Sequence, residues 1–399
     1  MKRLLLILFF PLFAQAQSYV IERVDIDGAT RVPIQIVRSE LRLQQERAYT
    51  DAELQAAVAR VKRLPFVFHA SYRVEPSLIT PQRWVLIVEV IDSAPVTFDL
   101  DANVNQDGDS AYDFDLGGSL FLPGANVLDA TITTGGFSEG GVSAHSLRLS
   151  YSAYDLLDRP GAFAVVSVEK TYLRNDDEGQ PDLSPSVLLG YPLTPNQTLL
   201  FNATLSGRRT ERELEDFDDP WVTDVAARTF ELLWRRDTTD DPFFTVAGTF
   251  LEFGPKWSHF DISGNVPVDD ELDEIEQSRD TYALLLNGAA FVPLGERNTT
   301  FLRVNGSAAN ERFRDLELED GGDFPSNDTW SATAVAGVAR NIIMTERVHS
   351  RVELSAGVRR YDFEGLPGEF SATQKVASAG WTLRHPWTTI RVVLSYDWE

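Results

Sequence analysis

Apolar and polar positions along the chain follow two different periods, and the period changes near residue 95. Before that point, one alternating stretch is followed by two stretches of helical spacing and then by two further alternating stretches. After it, the helical period disappears, and alternating stretches of about 9–11 residues are separated by Gly, Pro, Asn and Asp. The pattern therefore predicts a small α/β domain followed by a long all-β region.

The first region predicts the element order β-α-α-β-β. The predicted elements are a strand from Tyr19 to Ile26, a helix containing Ile34 to Leu41, a helix from Thr50 to Leu64, and strands over residues 66–74 and 83–90. Thr50 and Glu53 have the spacing of a capping box, which marks the start of the second helix. Pro65 marks its end, because proline cannot continue a helix.

From Val96 onward the chain has the signature of a transmembrane antiparallel β-barrel, in which each strand alternates apolar and polar positions. Aromatic residues such as Tyr151, Trp257 and Trp381 fall near predicted strand ends, as interfacial girdles require. A soluble sandwich or propeller is the alternative, but so long a meander without a repeat period is unusual in those folds. The predicted fold class is mainly β, with one small α/β domain ahead of the barrel.

The connections between predicted strands alternate between short turns and longer acidic loops, an asymmetry that outer-membrane barrels show between their periplasmic and extracellular ends. The long loops are predicted over residues 175–182, 211–219, 261–280, 314–328 and 362–370. Counting from Val96 gives about 15 strands, whereas single-chain bacterial barrels have an even number. We therefore expect about 16 strands, with 14 as the alternative.

The start of the chain has the form of a signal peptide. Lys2 and Arg3 are basic, Leu4 to Phe13 is apolar, and Ala14-Gln15-Ala16 has the small-x-small form of a cleavage site. The apolar run is too short to cross a bilayer as a helix, which needs roughly 20 residues. We expect residues 1–16 to be a signal peptide, residues 17–94 the α/β domain and residues 95–399 the barrel.

Composition narrows the classes of partner. With 36 basic and 60 acidic residues, the net charge is −24. This charge opposes nucleic-acid binding, which needs basic patches to displace counterions. The chain has no cysteine, so it forms neither disulfides nor thiolate metal sites. We expect no nucleic-acid partner, no metal and no cofactor.

Some short motifs resemble catalytic or calcium-binding sites, but the sequence around them is more typical of turns. Gly136-Phe137-Ser138-Glu139-Gly140 matches G-x-S-x-G, but no helix follows it, as a nucleophile elbow requires. Asn103 to Gly108 resembles the start of a calcium loop, but position twelve is Phe114 instead of glutamate. His145 and Ser146 are adjacent in a predicted strand and so point to opposite faces. We expect that the protein is not an enzyme.

Several motifs, in order along the chain, resemble a known superfamily. Val24 to Arg31 is similar to the first strand and turn of POTRA domains, and Leu64 to Val67 to their helix-to-strand corner. Leu189 to Leu193 and Arg236 to Phe244 resemble two barrel turns. The chain thus resembles the outer-membrane assembly-factor superfamily of BamA, TamA and the two-partner-secretion transporters. The resemblance implies a periplasmic POTRA domain and a surface-antigen β-barrel in the cell outer membrane of a Gram-negative bacterium.

Two features depart from the superfamily pattern. Its inward loop is marked by Val-Arg-Gly followed by Phe or Tyr, and this chain contains no Arg-Gly dipeptide. The nearest string, Val358-Arg359-Arg360-Tyr361, lies in a predicted strand. In addition, only one POTRA domain is present, whereas the essential assembly factor has several. The chain therefore resembles a divergent, reduced member.

Two functions follow as hypotheses. The first is handling of protein clients, by insertion into the membrane or by translocation, with unfolded proteins, periplasmic partners and outer-membrane lipid or lipopolysaccharide as partners. A client strand would add to an edge of the POTRA sheet, and the barrel seam would open or thin the membrane. The candidate edge residues are Val20, Glu22, Val24 and Ile26, and the candidate seam residues are Val96, Phe98, Leu100, Val392, Leu394, Tyr396 and Trp398.

The second hypothesis is a pore or transporter for ions or small polar solutes, in which the α/β domain acts as a scaffold or plug. A 16-stranded barrel can hold water in its lumen. Alternation with apolar neighbours predicts that five basic residues point into that lumen: Arg148, Lys170, Arg303, Arg340 and Arg351. The sequence leaves the identity of the client or solute open.

Overall fold

A computed structural model describes residues 18–104, 110–137, 143–174, 182–212, 221–268, 271–314, 327–365 and 368–398. Within these ranges the chain forms an N-terminal α/β domain and a closed β-barrel. The signal peptide predicted over residues 1–16 lies outside the described residues. No helix in the described ranges is long and apolar enough to cross a membrane.

The N-terminal domain is a four-stranded sheet with two helices. Its elements are β1 (Ser18–Asp27), α1 (Ile34–Leu41), β2 (Ala48–Thr50), α2 (Asp51–Lys62), β3 (Val67–Pro76) and β4 (Trp84–Asp92). The sheet order is β2-β1-β4-β3, in which β1 and β4 run parallel and the other neighbours run antiparallel. The predicted order β-α-α-β-β is confirmed, and the structure adds the short β2 before the second helix.

Local chemistry explains the main boundaries of this domain. The Thr50 side chain accepts a hydrogen bond from the Glu53 N–H, and the Glu53 carboxylate accepts one from the Thr50 N–H at 2.8 Å, so the predicted capping box is confirmed. Gly28 follows β1 with a φ of +81°, and a Cβ there would lie 2.5 Å from the Val90 carbonyl oxygen. Only glycine fits such a turn without strain.

The barrel contains fifteen described strands. They are β5 (Val96–Val104), β6 (Ser110–Leu122), β7 (Asn126–Phe137), β8 (Ser143–Tyr154), β9 (Phe163–Arg174), β10 (Asp182–Thr194), β11 (Gln197–Arg212), β12 (Trp221–Asp237), β13 (Gly248–Val268), β14 (Glu271–Pro293), β15 (Asn298–Arg314), β16 (Asn327–Met344), β17 (His349–Gly365), β18 (Gly368–His385) and β19 (Thr388–Trp398). Each strand pairs antiparallel with the next along the chain, and β19 pairs with β5 to close the barrel.

The expected even number of strands is corrected by this structure, which closes with fifteen in its described part. The expectation rested on the even strand counts of single-chain bacterial barrels, in which the first and last strands run antiparallel. In this chain they instead run parallel, and both begin at the barrel end that contacts the N-terminal domain, which we call the near end. A parallel pair has its own regular hydrogen-bond ladder, so an odd count closes without an unpaired edge.

The strands differ in length around the barrel. Those from β5 to β10 have 9 to 13 residues, whereas those from β11 to β18 have 16 to 23. At about 3.4 Å per residue, the longest strand is roughly 78 Å long, far more than an apolar band of about 25 Å requires. The long strands therefore extend well beyond such a band.

Two of the five predicted acidic loops are wrong over most of their length. β13 continues to Val268 and β14 begins at Glu271, so most of residues 261–280 is paired strand. Likewise, β17 reaches Gly365 and β18 begins at Gly368. A ladder bonds backbone groups, and acidic side chains are compatible with it where water reaches them. The loops predicted over residues 175–182, 211–219 and 314–328 lie largely outside the described residues.

Candidate functional site

The edges of the N-terminal sheet differ from the predicted ones. Val20 pairs with Ala48 of β2, so the start of β1 is an interior position, which corrects its assignment to an edge. β2 has three residues, too few for a period that sequence reasoning detects. Glu22, Val24 and Ile26 lie beyond the β2 ladder, where β4 is the ladder partner of β1 among the described strands.

β3 forms the other edge of the sheet, because β4 is its strand partner in the described part of the chain. At its start, Arg384 of the barrel covers this edge: its guanidinium donates to the Phe68 carbonyl at 2.8 Å and to the Val67 carbonyl at 3.1 Å. The same guanidinium lies 3.8 Å from the ring centre of Phe243 and 5.1 Å from that of Phe68. The far half of β3 carries the exposed residues Arg73 and Glu75.

The domain and the barrel share an apolar core at the near end. Phe66 packs edge-on against Phe121 and Tyr154, with ring centres 5.0 and 6.0 Å apart. Ala125 and Val127, from the β6–β7 turn and the start of β7, belong to the same buried cluster as the core of the α/β domain. The junction is therefore built like the interior of one domain and not like a loose contact.

Ion pairs surround this shared core. Lys62 of α2 lies 2.9 Å from Asp241, and Arg63 lies 2.7 Å from Asp237. Burial acts to raise the pKa of Asp241, but the Lys62 ammonium and the N–H donors of Phe244 and Phe243 outweigh it, so that pKa is lowered. Burial, with nearby Lys62 and His349, lowers the pKa of His69 to about 4, which leaves His69 neutral at pH 7.

The connection between β12 and β13 is a larger feature than the short turns predicted between barrel strands. We call residues 238–247 the crossing turn, because it folds inward across the near end of the lumen. The Thr245 carbonyl accepts from Arg351 of β17 at 2.6 Å, and the Val246 carbonyl accepts from Thr299 of β15 at 2.8 Å. Phe244 is 1% exposed and packs edge-on against His349.

Sequence reasoning missed the crossing turn and Arg384. One signal for the turn was present, because Phe243 and Phe244 are adjacent aromatic residues in the segment from Arg236 to Phe244, which resembles a barrel turn. Large apolar side chains in a turn need a burial partner. No local signal marks Arg384, since its partners Val67 and Phe68 lie more than 300 positions earlier in the chain.

The seam between β5 and β19 has a short ladder of seven residue pairs, from Phe98 with Thr388 to Val104 with Leu394. Of the predicted seam residues, four lie in this ladder: Phe98, Leu100, Val392 and Leu394. Val96, Tyr396 and Trp398 lie outside it, which corrects their assignment, because the parallel register offsets the two strands. Val96 pairs with Gly118, while Tyr396 and Trp398 pair with β18.

Side chains also join the two seam strands. Arg391 lies 3.5 Å from Asp101, and Ser395 donates to Asn103 at 3.2 Å. At the near end, the β18–β19 turn bonds to the segment that leaves the N-terminal domain: the Ala94 N–H donates to the Pro386 carbonyl at 2.8 Å. The seam is therefore linked, through one turn, to Arg384 and to the domain linker.

The lumen contains paired charges, and two of its cavities have volumes of about 420 and 410 Å³. Arg148 pairs with Glu169, and Arg303 pairs with Glu353, so both arginines point inward as predicted, as does the buried Arg351. Lys170 lies on the opposite face, over the exposed ring of Tyr172. Arg340 shares the outer face with exposed Val338. Both lie near strand ends, where long basic side chains reach polar surroundings.

Comparison with protein families identifies the N-terminal domain. Residues 19–105 match the POTRA family model, described as surface antigen variable number repeat. The match covers the whole α/β domain and continues into β5, which follows β4 after three residues. The predicted POTRA domain is confirmed. No curated protein matches the chain at a significant level.

Comparison with solved structures finds, among other matches, three chains of low sequence identity. BamA from Haemophilus ducreyi lacking POTRA domains 1–3 is 12% identical, with a TM-score of 0.46 over 95% of this chain and 81% of that chain. CdiB from Acinetobacter baumannii is 11% identical, with a TM-score of 0.46 over 92% and 61% of the two chains. The siderophore receptor PiuA from Acinetobacter baumannii is 11% identical, with a TM-score of 0.38 over 93% and 67%.

Proposed function

We propose that this protein is an outer-membrane barrel that handles polypeptide clients, with its POTRA domain in the periplasm and lipid around the barrel. Client handling here means membrane insertion or translocation of a polypeptide. The observation that carries the proposal is the placement of Arg384, which bonds the edge strand of the POTRA sheet and lies beside the turn that leads into the seam. One side chain thus connects a docking edge with the closure of the barrel.

In this proposal a client segment adds to β3 as a further strand. Backbone hydrogen bonds supply affinity for many sequences, because every residue offers the same N–H and C=O groups. A strand that extends along the start of β3 competes with Arg384 for the carbonyls of Val67 and Phe68. Release of Arg384 then removes one of the contacts next to the β18–β19 turn, which leads directly into β19 and its seven ladder pairs with β5.

Crosslinking tests the docking edge. A photoreactive residue placed at Glu75, which is exposed on β3, is expected to capture an unfolded barrel protein in reconstituted membranes. The same residue placed at Arg38, exposed on α1, is the control. Equal capture at both positions would contradict strand addition at β3.

A disulfide tests the seam. The chain has no cysteine, so L100C with I390C introduces one pair at a matched position of the seam ladder. We expect oxidation to stop client insertion into liposomes and reduction to restore it. The control pair, L116C with I132C, joins the neighbouring strands β6 and β7 and leaves the seam free. Full activity of the oxidised seam variant would overturn this part of the proposal.

A pore for ions or small polar solutes is the second candidate, favoured by the two lumen cavities and their charged walls. The POTRA domain and the crossing turn would then act as a plug at the near end. Planar-bilayer recordings separate the two functions. Large, stable single-channel steps without a client favour the pore, whereas small flickering currents together with crosslinks at Glu75 favour client handling.

A further inference from the structure

A cavity of about 220 Å³ lies between the POTRA domain and the inner wall of the barrel. Its walls come from the ends of α1 and α2, from strands β8, β9, β11 and β12, and from the β10–β11 turn. It holds the volume of roughly seven water molecules at about 30 Å³ each. It is separate from the β3 edge and from the seam, so it plays no part in the client-handling proposal.

Arginines dominate the charge of this cavity. Arg42, Arg60 and Arg63 enter it from the POTRA domain, and Arg235 enters it from β12. Three carboxylates face them: Glu40 lies 3.6 Å from Arg42, Asp237 lies 2.7 Å from Arg63, and Glu252 lies 2.6 Å from Arg235. Four guanidinium groups against three carboxylates leave a surplus positive charge, in a protein whose net charge is −24.

Arg60 is the source of that surplus positive charge. No carboxylate of a described residue lies within ion-pair distance of it, and its guanidinium donates to the carbonyls of Glu40 and Leu41 and to the Asn196 side chain. Burial and the charge of Arg42 lower the pKa of Arg60 to about 9, and burial raises the pKa of Glu40. The contribution of Arg42 to the lowered pKa of Arg60 is repulsion between two buried cations, which an added negative charge would relieve.

Arg42 is held loosely for a buried arginine. Its side chain is 10% exposed, yet its hydrogen bonds to Thr198 and to the Gly161 carbonyl are both 3.4 Å long, and its Nε has no partner. Buried donors without partners are costly in proteins. Gly161, with a φ of +79°, leaves room for the guanidinium, since a Cβ there would collide with it.

The rest of the cavity wall is apolar. Leu64 and Pro65 from the POTRA domain and Tyr154, Phe163, Val165 and Leu200 from the barrel line it beside the arginines. A fitting ligand therefore combines an oxyanion with an apolar part. Guanidinium groups approach from two different walls, and a tetrahedral phosphate can bond donors from several directions, whereas one arginine fork already satisfies a carboxylate.

We propose that this cavity binds the phosphate group of an organic phosphate and thereby bridges the POTRA domain and the barrel. The phosphate lies between Arg42, Arg63 and Arg235, and the apolar part lies against Phe163 and Leu200. The phosphate belongs either to a lipid headgroup or to a soluble phosphate, and both sources use the same arginines. A bound phosphate would strengthen the contact between the two domains.

Calorimetric titration of the full chain in a neutral maltoside detergent tests this site. The probes are dihexanoyl phosphatidic acid, inorganic phosphate and octanoate. We expect phosphatidic acid to bind, and R42Q to weaken that binding by about tenfold or more, since hydrogen bonds to a charged group are lost. R42K keeps the positive charge but lacks the two-pronged guanidinium group. We expect its affinity for phosphatidic acid to lie between that of the unmodified chain and that of R42Q. R23Q, which alters an exposed ion pair of β1, is the control and is expected to bind like the unmodified chain.

The titration results distinguish a lipid headgroup from a soluble phosphate as the ligand. Tighter binding of phosphatidic acid than of inorganic phosphate supports a lipid headgroup, and equal binding supports a soluble phosphate at the same arginines. Octanoate binding as tightly as phosphatidic acid would overturn the assignment to phosphate. No binding of either phosphate probe, or equal binding by R42Q in its folded barrel form on a gel, would overturn the site itself.

Discussion

The contact between the POTRA domain and the barrel differs in kind from the seam that closes the barrel. The junction between the POTRA domain and the barrel combines a shared apolar core, buried ion pairs and arginine–carbonyl bonds. The seam between β5 and β19 consists of seven ladder pairs and side chains exposed by about half, such as Arg391 and Asp101 at 56% and 50%. Burial makes the junction the stronger contact. Of the two contacts, the seam is therefore the one that we expect to rearrange first.

Among the substitutions considered, Phe244→Ala is expected to weaken the junction between the POTRA domain and the barrel the most. Phe244 is fully buried in the crossing turn, and its removal leaves a cavity between the turn and His349. Large-to-small changes of buried phenylalanine cost about 3–5 kcal/mol. We expect faster hydrogen exchange in α2 and β3 than in the unmodified chain. Leu157→Ala, exposed in the β8–β9 connection at the same barrel end, is the control and should exchange normally. Unchanged protection in the Phe244 variant would show that the turn does not hold the domain.

Asp241→Asn is expected to weaken the junction by a smaller amount. It removes the charge that faces Lys62 in a pair with side-chain exposures of 17% and 14%. Breaking a pair of this burial leaves an unpaired cation and costs about 2–4 kcal/mol, somewhat less than for a fully buried pair. The measurement is the urea midpoint of domain unfolding. Asp158→Asn, an exposed acid at the same barrel end, should leave that midpoint in place.

Acid should weaken the junction and leave the seam ladder largely unaffected. Because His69 has its pKa lowered from 6.5 to about 4, the unfolded domain binds a proton that the folded domain does not. Domain stability therefore falls as the pH drops through the window from 6.5 to about 4. The lowered pKa of Asp241 adds a further loss at still lower pH.

Unfolding midpoints of the domain at pH 7 and pH 4.5 measure this effect. His69→Gln should remove much of the difference between the two midpoints, and His145→Gln, on the exposed barrel surface, should keep it. If both variants retain the full difference, His69 is not its source.

Arg391→Gln is expected to have the smallest effect, a slight loss of barrel stability at the seam. It removes an ion pair across the seam whose partners are exposed by about half. Such pairs contribute about 0.2–1 kcal/mol because water screens them. The temperature at which the folded barrel band disappears on a gel should shift by a few degrees at most. A much larger shift would mean that side chains, and not the seven-pair ladder, hold the seam closed.

Elements whose signals are local could be predicted from the chain alone. The capping box at Thr50, the helix end at Pro65, the POTRA element order and the alternating barrel strands all follow from neighbours within a few residues. Such signals survive because helix spacing, strand alternation and turn chemistry depend on the backbone nearby. The same local signals indicated fifteen strands, which the expectation of an even count then set aside.

Contacts between distant segments could not be predicted in this way and became visible in the folded structure. Parallel closure joins β5 to β19 across almost 300 positions, and Arg384 reaches Val67 and Phe68 across a similar separation. Alternation gives two faces to each strand, but it does not state which face points inward near a strand end, as Lys170 shows. The four arginines of the junction cavity also come from distant segments. Their proximity results from the docking of two folded domains, and no local pattern in the chain encodes it.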